Sequence, residues 1–238
     1  MTEKTVYRSS RQGGIRYKNL IDEKAPAFQW VFDEGFYMLA QPVWDALKDE
    51  HFRPAVISDI FPCIDGPLNV EIGIGNGEFI SHYASENKAS YWIGFEVFHE
   101  VFEKAVKRVR RLDLKNVRLI QFDAELFFRL LPLSSVNGFY VNFPDPWPKT
   151  RHHKRRLLKP WFIEMMRERL APGGTLTIAT DHADYAREIT ENLSQVSGFK
   201  SLVNPLPTED MGDYYRTKYY RKFASKDRVY FYKLEKNY

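Results

Sequence analysis

Residues 68–72, Leu-Asn-Val-Glu-Ile, form a short apolar run that breaks directly into Gly73-Ile-Gly-Asn-Gly77 and then into a helical pattern from Glu78. Strand, glycine turn and helix in that order open a nucleotide-binding βαβ unit and point to a parallel α/β sheet. The glycines stand at 73, 75 and 77. That spacing is G-x-G-x-G, so the dinucleotide fingerprint G-x-G-x-x-G is not met, and the turn alone also fits a tight bend that holds no ligand.

The pattern continues along the chain. Residues 91–95 read as a second strand ending in Glu96, where an acid can accept hydrogen bonds from both ribose hydroxyls of an adenosine cofactor. A helix over 99–111 sets Val101, Phe102, Ala105, Val106 and Val109 on one face and Glu103, Lys104, Lys107, Arg108 and Arg110 on the other. Residues 116–122 read as a third strand. Asp123 at its end fits either a hydrogen bond from an adenine amino group or an N-cap for the next helix. A fourth strand, 136–143, delivers Asp145; a helix over 160–170 and a Pro-Gly-Gly turn precede a fifth, 175–180, which delivers Asp181. A helix over 183–193 and closing strands at 199–203 and 228–234 complete the alternation. The expectation is one seven-stranded, mostly parallel, doubly wound sheet over 67–238, preceded by a basic arm over 1–20 and an aromatic-rich cap over 21–66. Glu71, Glu96, Asp123 and Asp145 then gather outside the carboxyl ends of the strands, where open α/β sheets bind ligands.

A chain of 238 residues buries a core without a disulfide or metal staple, and its one cysteine, Cys63, excludes an intrachain disulfide and a cysteine-based zinc cluster. His152 and His153 are adjacent, with no partner at ligand spacing, so no metal is expected. No run reaches the length of a membrane span and the start lacks a signal peptide's apolar core; a soluble, cytoplasmic protein is expected. The net charge of +4 says little, but its placement says more. Lys149, Arg151, Lys154, Arg155 and Arg156 follow the run Asn142-Phe-Pro-Asp-Pro-Trp-Pro148, and Arg216, Lys218, Arg221, Lys222, Lys226 and Arg228 alternate with Tyr214, Tyr215, Tyr219, Tyr220 and Phe223. Cations neutralise phosphates and aromatics stack on bases, so the two clusters point to nucleic acid.

The acid-then-glycine turn, Glu96, Asp123 and the Leu-x-Pro-Gly-Gly turn at 170–174 are similar to class I S-adenosylmethionine-dependent methyltransferases, a Rossmann-like class whose last strand is antiparallel. Phe143-Pro-Asp-Pro-Trp-Pro-Lys149, Arg151-His-His-Lys-Arg-Arg156, Thr180-Asp181 and Thr217-Lys218 resemble specifically the bacterial tRNA guanine-N7 methyltransferases. The resemblance implies S-adenosylmethionine as cofactor, at Glu71, Gly73, Gly75, Glu96, Asp123 and Asp145, with Asp145 also catalytic. It implies a tRNA substrate held by Lys149, Asp181, Thr217, Lys218, Tyr219 and Tyr220, and RNA contact through Arg151, His152, His153, Lys154, Arg155 and Arg156. The implied target is guanine 46 of the variable loop; the sequence leaves a monomer and a homodimer both open. One position departs from the family pattern: Tyr220 stands where Thr-x-x-Glu ends in its acid. Either the tyrosine hydroxyl takes over a bond to the guanine edge, or base contact leans more on Asp181.

The chemistry suits these residues. Guanine N7 has a lone pair and no proton, so positioning supplies most of the acceleration, and the product carries a positive charge that Asp145 stabilises. Pro144 and Pro146 stiffen the turn that holds it. The competing readings are an Asp145 that satisfies its own turn amides, and a Trp147 that anchors packing where it would otherwise stack on the base. The alternative functions are a class I methyltransferase for another RNA, a protein or a small molecule, and a non-catalytic RNA-binding protein. The basic run counts against small neutral substrates, and acids at four strand ends count against an idle pocket.

Overall fold

The structure is a computed structural model and describes residues 32–39, 60–61, 63–128, 131–224 and 228–237. The arm expected over 1–20 and most of the cap over 21–66 lie outside the described residues.

One sheet organises the chain. Its strands are β1 (Tyr37–Met38), β2 (Leu68–Ile72), β3 (Tyr91–Phe95), β4 (Val117–Ile120), β5 (Val136–Asn142), β6 (Leu170–Thr180), β7 (Phe199–Ser201) and β8 (Tyr230–Lys236), in the order β1-β4-β3-β2-β5-β6-β8-β7. β8 is antiparallel to both neighbours, and the other pairings are parallel. Among the described residues the helices are α1 (Glu78–Glu86), α2 (His99–Arg111), α3 (Ala124–Phe127), α4 (Pro160–Arg169), α5 (Ala183–Ser194) and α6 (Lys218–Lys222), with a 3-10 helix over Thr150–Arg155. The expected seven strands are present, and β1 is an eighth. It comes from the segment read as a cap and adds an edge to β4, where the Leu119 and Gln121 amides donate to Phe36 and Met38 carbonyls.

Strand periodicity explains the layers. Leu68, Val70 and Ile72 of β2, with Ile93 and Phe95 of β3, enter one apolar cluster, while Trp92, Val117 and Leu119 enter a second. The central parallel strands are thus covered on both faces. On α2, Phe102, Ala105, Val106 and Val109 are buried at the spacing of a single helix stripe. Gly77, at φ 72°, lets α1 approach that stripe: a Cβ there would stand 2.9 Å from the Ala105 Cβ.

One boundary differs from the sequence expectation. Leu170, expected to end a helix, already pairs with Val136, and Thr175 pairs with Gly138, so 171–174 bulge from the ladder inside β6. Pro172 has no amide to give a ladder, and Gly173 takes φ 74°; both suit a bulge. Because β3 and β5 flank β2, the crossovers leave the sheet on opposite sides, and a crevice opens at the carboxyl ends between them. Among the described residues no helix is long and apolar enough to cross a membrane.

Candidate active site

A cavity of about 750 Å³ lies over the ends of β2 to β5, lined among others by Gly73, Glu96, Phe98, Asp123, Asn142 and Asp145. A second cleft of about 380 Å³, lined by Glu71, Gly75, Glu78, Lys104 and Thr217 among others, shares Gly73, Val101, Asn142, Phe143 and Tyr219 with it. The start of the glycine turn, Gly73, lies on the ridge between them. Gly73 and Gly75 have φ of 74° and 54°, and a Cβ on either would meet no atom within 4 Å, so the ridge is bare backbone facing open space.

Glu71 is 2 % exposed. Its Oε1 accepts from Asn142 Nδ2 at 3.0 Å, and Asn142 Oδ1 accepts from the Tyr214 hydroxyl at 2.8 Å. Burial keeps that hydroxyl protonated by raising it well above its ordinary value. The other oxygen of Glu71, Oε2, is buried without a hydrogen-bond partner. Burial pushes the Glu71 carboxyl up to about 8, with Asn142 and the Ile80 amide opposing in part and Glu96 adding to the rise. A buried carboxyl that holds its proton for want of a partner on one oxygen is completed when a donor or cation reaches that oxygen.

Glu96 braces the turn. Its Oε2 accepts from the Gly75 amide at 3.0 Å, and Oε1 accepts from the Val97 and Phe98 amides at 2.8 and 3.0 Å. A carboxylate offers about four lone-pair sites, so room for one further donor remains on Oε2. Asp123 is an N-cap as well as a cavity residue: Oδ1 accepts from the Glu125 amide at 2.9 Å.

Asp145 is exposed at the cavity rim, and its carboxylate makes no hydrogen bond or ion pair among the described residues. The turn-amide alternative is therefore not realised. Phe143 and Trp147, on either side of it, take φ of 49° and 44°, a left-handed geometry that is strained for aromatic residues and recurs at functional sites. Trp147 lies under the Arg155 guanidinium, 4.8 Å from ring centre to carbon, and meets His152 edge-on.

The presumed RNA-contact run divides. Arg151, Lys154 and Arg155 are exposed, and His152 and His153 are partly so, with His153 Nε2 at 3.7 Å from Asp184. Arg156 differs from its neighbours in being turned into the fold. It is 3 % exposed, donates through Nε to the Pro146 carbonyl at 2.8 Å, pairs with Asp184 and Glu188 at 2.6 Å each, and lies over the Tyr185 ring. It latches the Asp145 turn onto α5.

On the opposite rim, Thr217 caps α6 by accepting from the Tyr220 amide at 3.3 Å. The Tyr219 hydroxyl donates to Asp181 Oδ2 at 3.3 Å, and burial first, then Asp181 and Asp145, raise its pKa. Tyr219 thus brings both acids into one neighbourhood. The Tyr220 ring packs against Phe143, Tyr214 and Phe231, and Lys149 and Lys218 are exposed. Glu78 and Asn142 join the site without a motif that marks them; for Asn142 the sequence signal is a polar residue closing an apolar strand.

A doubly wound sheet of this order, with acids at successive strand ends around a bare glycine ridge, defines a class I methyltransferase. Two solved structures share the fold: an rRNA methylase from Streptococcus thermophilus (TM-score 0.52, 18 % identity, 73 % of this chain and 89 % of that one) and a putative methyltransferase from Streptococcus mutans in complex with SAH (0.50, 16 %, 74 % and 92 %). Residues 65–232 match the family described as "Putative methyltransferase". A tRNA (guanine-N(7)-)-methyltransferase from Geobacter metallireducens is 36 % identical over 77 % of this chain and 88 % of its own length. The chain belongs to the tRNA (guanine-N(7)-)-methyltransferase family.

Proposed function

We propose that this chain transfers the methyl group of S-adenosylmethionine to N7 of a guanine in tRNA, at position 46 of the variable loop, in the cytoplasm. The observation that carries this reading is the Asp145 carboxylate, unbonded among the described residues at the cavity rim, with an exposed cationic run directly after its turn.

The residues suit the cofactor. Glu71 Oε2 is buried without a partner, and a cationic amino group arriving there would displace the proton that burial holds on the carboxyl; the open glycine ridge leaves room beside it, and Glu96 keeps acceptor capacity for a ribose hydroxyl. Asp123 has a second oxygen beyond its capping bond. When bound, S-adenosylmethionine supplies a methyl group activated by sulfonium charge. Since guanine N7 needs no base, the chain has to hold the guanine in line and compensate charge. Asp145 compensates the cation that forms on the imidazole ring. Asp181, linked to Tyr219, holds the guanine edge; the packing of the Tyr220 ring supports Asp181 over Tyr220 for that role. Lys149, Arg151, Lys154 and Arg155 neutralise nearby phosphates.

The test is transfer of labelled methyl to an unmodified tRNA transcript by wild type and by Asp145→Asn, which keeps the shape and removes the charge. The variant is expected to lose about a hundredfold in kcat, with KM for tRNA little changed. Full turnover by the variant would remove Asp145 from the chemistry.

A further inference from the structure

Glu78 opens α1 immediately after the glycine turn, yet the acid reaches across to a segment about 140 residues later. Its Oε2 accepts from the Lys218 backbone amide at 3.0 Å, and Oε1 accepts from the Tyr215 hydroxyl at 3.2 Å and from Arg221 Nη2 at 3.3 Å. The Glu78 side chain is only 11 % exposed. Its own amide is held by Asn76 Oδ1 of the turn at 3.1 Å. Tyr215 is fixed a second time, its ring stacked on His82 of α1 with centroids 3.8 Å apart and its amide donating to the Tyr83 hydroxyl. These contacts run between the cofactor ridge and the segment 217–220.

We infer that Glu78 is the positioning residue that clamps the segment 217–220 onto the glycine turn, so that the substrate-holding side chains reach the site in register with the cofactor cradle. The inference rests on the methyltransferase reading. It also gives the Tyr220 departure a physical counterpart. With an aromatic ring at 220, the segment carries no acid of its own between Arg216 and Phe223, and the carboxylate that engages its backbone comes from α1. Removing it leaves the Lys218 amide, the Tyr215 hydroxyl and one Arg221 contact without their acceptor.

Glu78→Ala and Glu78→Gln test the clamp. Glu78→Ala is expected to raise KM for tRNA about tenfold, with kcat and S-adenosylhomocysteine affinity within about twofold of wild type. Limited trypsin digestion should cut faster after Lys218, Arg221 and Lys222 in the RNA-free protein. Glu78→Gln, which retains one acceptor oxygen, should fall between the two in both readouts. An unchanged KM and unchanged digestion in Glu78→Ala would overturn the inference, as would an equal fall in cofactor affinity and thermal midpoint, the mark of a purely structural role. If wild type fails to methylate tRNA, the functional reading falls, and digestion, which needs no RNA, still decides the clamp.

Discussion

Glu71 shows how much one buried side chain can be asked to do. Its carboxyl keeps a proton up to about 8 in the fold, whereas the unfolded chain releases it near the ordinary 4.5. The folded state therefore binds more protons between these values, so this group's stabilisation is complete below the window and is lost as pH rises through it. Glu71→Gln should flatten the fall: between pH 5 and pH 8.5 the wild-type unfolding midpoint, measured without cofactor, should drop more than the variant's. Equal drops would show that Glu71 is not the titrating group. At this scale the sequence was legible where chemistry follows from a position at a strand end, as for Glu71, Glu96, Asp123 and Asp145. It was not legible where partners are distant. Arg156 looks like its cationic neighbours, but its burial is set by Asp184 and Glu188, 28 and 32 residues downstream. The Glu71–Asn142 bond spans 71 residues, and no local pattern announces it.

Elements carry the site by being latched to one another. The turn from Phe143 to Trp147 holds two aromatic residues at positive φ, a conformation that persists only if its surroundings enforce it. Arg156 supplies that enforcement by joining the Pro146 carbonyl to α5, and Lys159 adds a second cation on Glu188. Arg156→Ala should destabilise the protein by about 3 kcal/mol, the lower end for breaking a buried pair because Asp184 stays partly solvated. It should also lower kcat, since the Asp145 turn is freed; chemical denaturation and single-turnover methylation measure the two effects. A loss of tRNA affinity alone would instead make Arg156 an RNA contact. The regular strands and helices of the sheet were readable from periodicity, whereas the short pieces around the site were not. α3, α6 and the 3-10 helix are four, five and six residues long, too short to show a repeat. The bulge in β6 hid a strand start because Pro-Gly-Gly reads as a turn whether it ends a helix or interrupts a ladder.

For the whole molecule, the proposed function sets a cofactor cradle on the sheet and an RNA surface on the two segments that flank it, 149–155 and 217–222. Binding to tRNA should then weaken steeply with salt, and Arg151→Ala and Lys154→Ala should each reduce the slope of log K against log salt by about one. A slope unchanged in both would move the RNA surface elsewhere. The broad charge balance could not reveal this, because a net charge of +4 averages over acids at the strand ends and cations beside them. The proposed reaction changes one atom, and chain cleavage at that atom reads it. Unmodified tRNA transcript is incubated with the protein and S-adenosylmethionine, then treated with borohydride and aniline, which cut the RNA at N7-methylguanine. One cut is expected, at position 46 of the variable loop, and it should disappear when that guanine is replaced. Methyl label on the tRNA with no cut would contradict it, since the methyl would then sit on another atom.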